Sequence, residues 1–278
     1  MTKFAACFLL VFGELAFGGM FALAIPPFFK IERGFYKSSG GVYWGSGLVT
    51  GIGLAMLASR GAHHPGQPAV IAMWIAAVLW FGFSVAGALY VASLWTDLGQ
   101  LRARAYTATL VIGLVAVIAT VMLLKPADFG AIAAVTYAIT AITSSLMLGF
   151  VSAGMMFGHW YLIDPNLPVE YLSSIVRMLA VALWADLAAL LLALGVLAIA
   201  GGAPQAAVAS LIESHAMLLS ARMVFGPVAT LVLTWMTWQT LKVPQTMAAT
   251  GLLYIAVMAA IVGEMLGRFI LFRTAVPL

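Results

Sequence analysis

From Leu110 to Leu124 the chain runs through fifteen residues without an ionisable side chain, and stretches of this kind recur along its whole length. Such runs decide the fold class. They are too long and too uniformly apolar for barrel strands, which alternate lipid-facing and lumen-facing residues. In hydrocarbon the backbone must satisfy its own hydrogen bonds, which leaves the helix. Only 8% of the 278 residues are charged and mean hydropathy is +1.10. A water-soluble domain carries about a quarter charged residues. The expected fold is therefore an all-α polytopic transmembrane helix bundle, a single domain over residues 1–278, embedded in the lipid bilayer.

A span needs about 20 apolar residues. The sequence predicts eight, near 4–25, 42–59, 69–94, 105–124, 129–157, 171–200, 217–240 and 246–271. The breaks are chemically sensible: Pro26-Pro27 with Lys30 to Lys37, Arg60 to Pro68, Asp97 to Arg104, Lys125-Pro126, Asp164 to Pro168, Gly201 to Pro204, and Lys242 with Pro244. Lys3 before an apolar stretch resembles a signal peptide. Glu14 interrupts that stretch and no small-residue cleavage site follows, so it reads as a retained first span. Eight spans place both termini on one face of the membrane, side A. Lys3, Arg60, Lys125 and Arg273 fall on side A. Lys30, Arg33, Lys37, Arg102, Arg104 and Lys242 fall on the opposite side B, with Arg177 close by. The positive-inside rule makes side B cytoplasmic and both termini external, in what we expect to be a prokaryotic inner membrane.

Composition also excludes. The single cysteine, Cys7, cannot build a disulfide, a cysteine zinc site or an iron–sulfur cluster within this chain. The net charge of +4 is scattered and forms no basic patch with interleaved aromatics, so nucleic acid is not an expected partner. No phosphate loop, His-Glu-x-x-His pair or nucleophile triad is present. Chemistry within this chain reduces to handling protons.

Ionisable residues inside spans cost about 2.5–3.5 kcal/mol each on insertion scales and mark function by default. Here they are Glu14 in the first span, Asp186 in the sixth, Glu213, His215 and Arg222 leading into the seventh, and Glu264 and Arg268 in the last. His63 and His64 mark the side A end of the second. Most fall in the side A half. Glu264 and Arg268, four residues apart, share a helix face and can neutralise each other. They read either as a structural ion pair or as a polar pocket in which Glu264 accepts a proton. Asp186 reads as protonated and held by a hydroxyl of the Ser/Thr-rich fifth span (Thr136, Thr140, Thr143, Ser144, Ser145), or as a step in a proton path. His159, beside Trp160 and Tyr161, reads as an interfacial histidine. Haem b ligated by His64 and His215 is a weaker reading, because neither lies well inside a span.

Phe12-Gly13-Glu14-Leu15-Ala16-Phe17-Gly18-Gly19, Gly51-Ile52-Gly53-Leu54 leading to His64-Pro65-Gly66, and Gly263-Glu264-Met265-Leu266-Gly267-Arg268-Phe269 together resemble the membrane anchor subunits of DMSO-reductase-type enzymes. The resemblance covers the two ends of the chain and is faint between residues 70 and 215. It implies an eight-span, quinol-binding anchor, with menaquinone or ubiquinone as the cofactor. The implied partners are an iron–sulfur or cytochrome electron-transfer subunit and a separate catalytic subunit. It carries a quinone-site role onto His64 and matches Glu264 and Arg268 to the family's last-helix motif. The third span lacks the acid the family carries there, and residues 159–168 have no counterpart in it.

These readings combine into one expectation, a quinone-interacting subunit of a respiratory-type oxidoreductase complex. His64 holds a quinone carbonyl, Glu14 and Glu264 pass protons, and Arg222 or Arg268 sets the field, with His215 and Asp186 as further candidates. The alternatives are a proton-coupled transporter relaying through Asp186 and Glu14, or a structural membrane subunit without a cofactor.

Overall fold

A computed structural model describes residues 2–60, 68–243 and 245–278. Among these residues there is no strand, and eight helices are long and apolar enough to cross a membrane. The chain is an integral membrane protein. Its helices are α1 (Thr2–Ala22), α2 (Arg33–Arg60), α3 (Pro68–Ser93), α4 (Gly99–Met122), α5 (Gly130–Trp160), α6 (Val169–Ile199), α7 (Gly202–Met223), α8 (Ala229–Leu241) and α9 (Thr246–Thr274). The seventh span is composite: α7 and α8 are joined end to end by a π-helical segment, Val224–Val228.

The spans form two four-membered rings. In one, α1 to α4 pack in sequence and α4 returns to α1; in the other, α5, α6, the composite seventh span and α9 close in the same way. The rings meet where α1 lies along α5, with α4 and α9 on either side. Val78, Val85, Trp184 and Met258 point outward, as a surface bathed in lipid requires.

Three helices start earlier than the apolar runs suggest: α2 at Arg33 rather than 42, α4 at Gly99 rather than 105, and α7 at Gly202 rather than 217. For α2 the reason is physical. Residues 38–47 are rich in serine and glycine, which in water favour a break. In lipid an unwound backbone has no solvent to bond with, so the helix persists and the small residues become packing surface. A Cβ on Gly47 would collide with the Phe83 ring of α3, and one on Gly51 would lie 3.2 Å from Trp80 Cβ.

Many buried hydroxyls are satisfied within their own helix, although those of Ser39 and Thr230 have no partner among the described residues. Those of Thr120, Thr140, Ser145 and Thr234 donate to the carbonyl four residues back. At the end of α9, Ala275 adopts a left-handed conformation with φ 60°, and the following Val276 and Leu278 are buried. The Tyr137 hydroxyl of α5 donates to the Ala275 carbonyl and fixes this turn.

Candidate functional site

The last span places Glu264 and Arg268 on one face, and the expected ion pair forms at 3.0 Å between Arg268 Nη2 and Glu264 Oε2. It does not stand alone. Glu14 of α1 holds Arg268 through both carboxylate oxygens, with Nη2–Oε1 at 2.8 Å and Nε–Oε2 at 3.2 Å. Arg222 of the seventh span reaches the other oxygen of Glu264 at 2.5 Å. Its Nη2 also lies 3.7 Å from Asp186 Oδ2 of α6. Five ionisable side chains from four spans thus form a continuous chain of contacts: Glu14, Arg268, Glu264, Arg222, Asp186. All are buried, and four of the five are fully inaccessible.

Local structure explains how so many charges fit. Arg222 occupies a slot left by glycines. A Cβ on Gly226 would collide with its Nη1, and one on Gly267 would lie 2.8 Å from its Nε. At Gly263 and Gly226 the backbones of α9 and the seventh span cross so closely that neither can carry a side chain unchanged. The seventh span is irregular on both sides of Arg222. His215 leaves helical geometry with φ −132° and ψ 21°, kinking α7. After Arg222, Pro227, which cannot donate a backbone hydrogen bond, lies within the π-helical segment.

Asp186 is tethered separately. Its Oδ1 accepts from Ser144 at 3.0 Å and Thr143 at 3.2 Å, both on α5. The Ser/Thr-rich fifth span therefore supplies partners of the expected kind. Asp186 Oδ2, Arg222 Nε and Nη1, and Arg268 Nη1 are buried with no hydrogen-bond partner among the described residues.

Toward side A the network adjoins an apolar cavity of about 280 Å³, walled by Leu9 and Leu10 of α1, Leu54 and Leu57 of α2, Met73 of α3, Thr120 of α4, and Phe272 of α9. Leu10 precedes Glu14 by four residues and Phe272 follows Arg268 by four, so the cavity begins one helical turn from the Glu14–Arg268 pair. The Thr120 hydroxyl is already engaged, accepting from Trp80 Nε1 at 2.9 Å. A second cavity of about 570 Å³ lies at the side B ends of α1 to α4, between Tyr36, Tyr90, Tyr106 and Arg102, whose guanidinium stacks 4.6 Å from the Phe28 ring.

Five of the seven candidate residues, Glu14, Asp186, Arg222, Glu264 and Arg268, are thus brought together. His215 is not among them; it sits at the α7 kink with Nδ1 buried and unpartnered. Glu213, on the same helix, is exposed. His64, together with His63, lies outside the described residues, so its pairing with His215 around a haem has no geometry here. His159, in the last turn of α5, has its Nδ1 3.2 Å from the Tyr254 hydroxyl.

No family model matches the chain. Comparison with curated proteins gives no match either. The functional reading therefore rests on the site itself.

Sequence reasoning missed the links across the bundle, Glu14 to Arg268 and Arg222 to Glu264. The available signal was the charge count: three acids and two arginines within spans have to find each other in lipid. The glycines at 226, 263 and 267 were the accompanying mark of close helix approach.

Proposed function

We propose that this chain is the membrane subunit of a quinone-linked redox complex, binding a quinone in the side A cavity and handling its protons through the buried network. The observation that carries this reading is the contiguity of the two. An apolar cleft suited to a ring and isoprenoid chain begins one turn from a buried carboxylate–guanidinium pair. A bound quinone supplies two-electron, two-proton chemistry. The residues of this chain supply an apolar wall that orients the ring, a Glu14 carboxylate near its inner end, and Arg268 to hold that carboxylate in place. Electrons reach the site through a docked iron–sulfur or cytochrome subunit, since one cysteine cannot hold a cluster. In this reading the membrane is a prokaryotic inner membrane, the termini are external, and the catalytic subunit docks with the electron-transfer subunit on side A.

A proton-coupled transporter is the weaker reading. Alternating access rocks one repeat or helix bundle against another. Here Glu14 belongs to the first ring and Arg268 to the second, so rocking would part a doubly hydrogen-bonded buried pair.

The test fills the cavity. Replacing Leu57 with tryptophan is expected to lower the quinone retained through gentle purification at least tenfold, with the chain and its partners still assembled. Undiminished quinone in Leu57→Trp would overturn the placement. Loss of quinone from Arg102→Ala alone would move the site to the side B cavity. Purification without redox partners or quinone would overturn the function.

A further inference from the structure

Glu14, Asp186 and Glu264 face Arg222 and Arg268 in one enclosed network. With every group ionised, three carboxylates stand against two guanidiniums, and no other cation among the described residues pairs with them. A whole uncompensated charge at this depth is strongly disfavoured, because neither water nor lipid is there to solvate it.

We propose that the network binds one proton, taken up from water, and that this proton resides on Asp186. Geometry separates the three acids. Glu264 gives one oxygen to each guanidinium, at 2.5 and 3.0 Å. Glu14 gives both oxygens to Arg268. Each is held in the way an ionised carboxylate is held. Asp186 is not. Its Oδ2 has no hydrogen bond and stands 3.7 Å from Arg222 Nη2, and its Oδ1 meets only the hydroxyls of Thr143 and Ser144.

Hydroxyls can reverse their role, whereas a guanidinium can only donate. The Thr143 hydroxyl also lies 3.1 Å from the Thr140 carbonyl. It can donate there and accept a proton carried by Asp186, while Ser144 continues to donate to the acid. A neutral Asp186 therefore satisfies every group on its α5 side. The charged groups facing it from the other packed elements are Arg222 on the seventh span and, beyond it, Glu264 on α9; Arg268 and Glu14 complete the chain. His215 lies seven residues nearer side A than Arg222 and makes no contact with the acid. A sodium ion is a poorer solution than a proton, because the Arg222 guanidinium beside Oδ2 would repel it.

This inference rests on charge count and contact geometry, independently of the quinone reading. The test is infrared spectroscopy of the purified full chain in lipid nanodiscs at neutral pH, with the aspartate carboxyls ¹³C-labelled. Expected is one protonated-carboxyl carbonyl band that shifts with the label and in D2O. The band should vanish in Asp186→Asn and persist in Asp164→Asn, which alters an exposed loop aspartate. In Glu264→Gln it should also vanish, because removing one acid balances the network and lets Asp186 ionise. Absence of the band from the wild-type chain overturns the proposal, as does its survival in Asp186→Asn or its movement with labelled glutamate instead. A band that disappears when sodium is added would likewise overturn it, in favour of a bound cation.

Discussion

Replacing Glu264 with alanine is expected to destabilise the purified chain by about 3–5 kcal/mol, the cost of removing one partner from a buried ion pair. Among the described residues Glu264 is the one acid that pairs with both guanidiniums, at 2.5 Å for Arg222 and 3.0 Å for Arg268. Without it Arg222 is left with Asp186 at 3.7 Å, and Arg268 with Glu14 alone. The attraction inside the network largely offsets the desolvation of its members, so the intact network adds little net stability. Breaking it is different: even with Asp186 ionised in its place, Arg222 exchanges a 2.5 Å contact for one at 3.7 Å and stays desolvated. The double variant Glu264→Ala, Arg222→Met should therefore recover a substantial part of the loss, since it removes one charge of each sign. Denaturant unfolding in detergent, run as a double-mutant cycle, measures both quantities. A loss below about 1 kcal/mol in the single variant would mean that the ionised Asp186 closes on Arg222 or that water enters and solvates it.

The second large effect lies at the crossing of the two rings. A side chain on Gly18 of α1 would collide with the Ser145 carbonyl of α5, and one on Gly149 would collide with the Gly18 backbone. No rotamer avoids a clash with backbone. Gly18→Leu is expected to lower stability by about 3 kcal/mol or more, beyond ordinary overpacking, and to reduce the folded chain recovered from membranes several-fold. The damage should also reach the network, because Glu14 is one turn from Gly18 and moves with α1. Gly41 and Gly195 are the controls: both are helical and nothing lies within 4 Å of the space their Cβ atoms would fill. Alanine there should be neutral or stabilising by up to about 1 kcal/mol, in line with its higher helix propensity. If Gly18→Leu behaves like those controls, the α1–α5 contact is not the packing core of the molecule.

The eight spans were legible because their signal is additive over some twenty residues and needs no partner. Their starts were less so. Ser38 to Gly47 carries the composition of a loop, and only the absence of water in the bilayer turns it into helix. At the site, the Glu264–Arg268 pair could be read because it obeys helical spacing within one element. The Glu14–Arg268 contact joins residues 254 positions apart. No local rule anticipates it, since its cause is the way the two rings meet. For Asp186 the chemistry was right in kind, a hydroxyl from the fifth span. Arg222 was a candidate in its own right, but its approach to Asp186 was hidden because the turn geometry that aims it could not be read from residue identities alone.

That turn geometry has a consequence of its own. In an unbroken α-helix the eight residues from Arg222 to Thr230 would leave the two side chains about 80° apart around the axis. Yet both are fully buried, as are Thr234 and Thr237 further along α8. The wider winding of Val224–Val228 takes up the difference. The helix before it and the helix after it are thus held in phase by one surplus residue, in the manner of a spacer. Delete one residue there and regular winding returns with seven steps between the two side chains, within about 20° of two full turns, so the guanidinium should keep its facing toward the acids. Regular winding at the present length would instead swing the guanidinium about 80° out of line, so the match between chain length and winding decides whether this cation faces the acids.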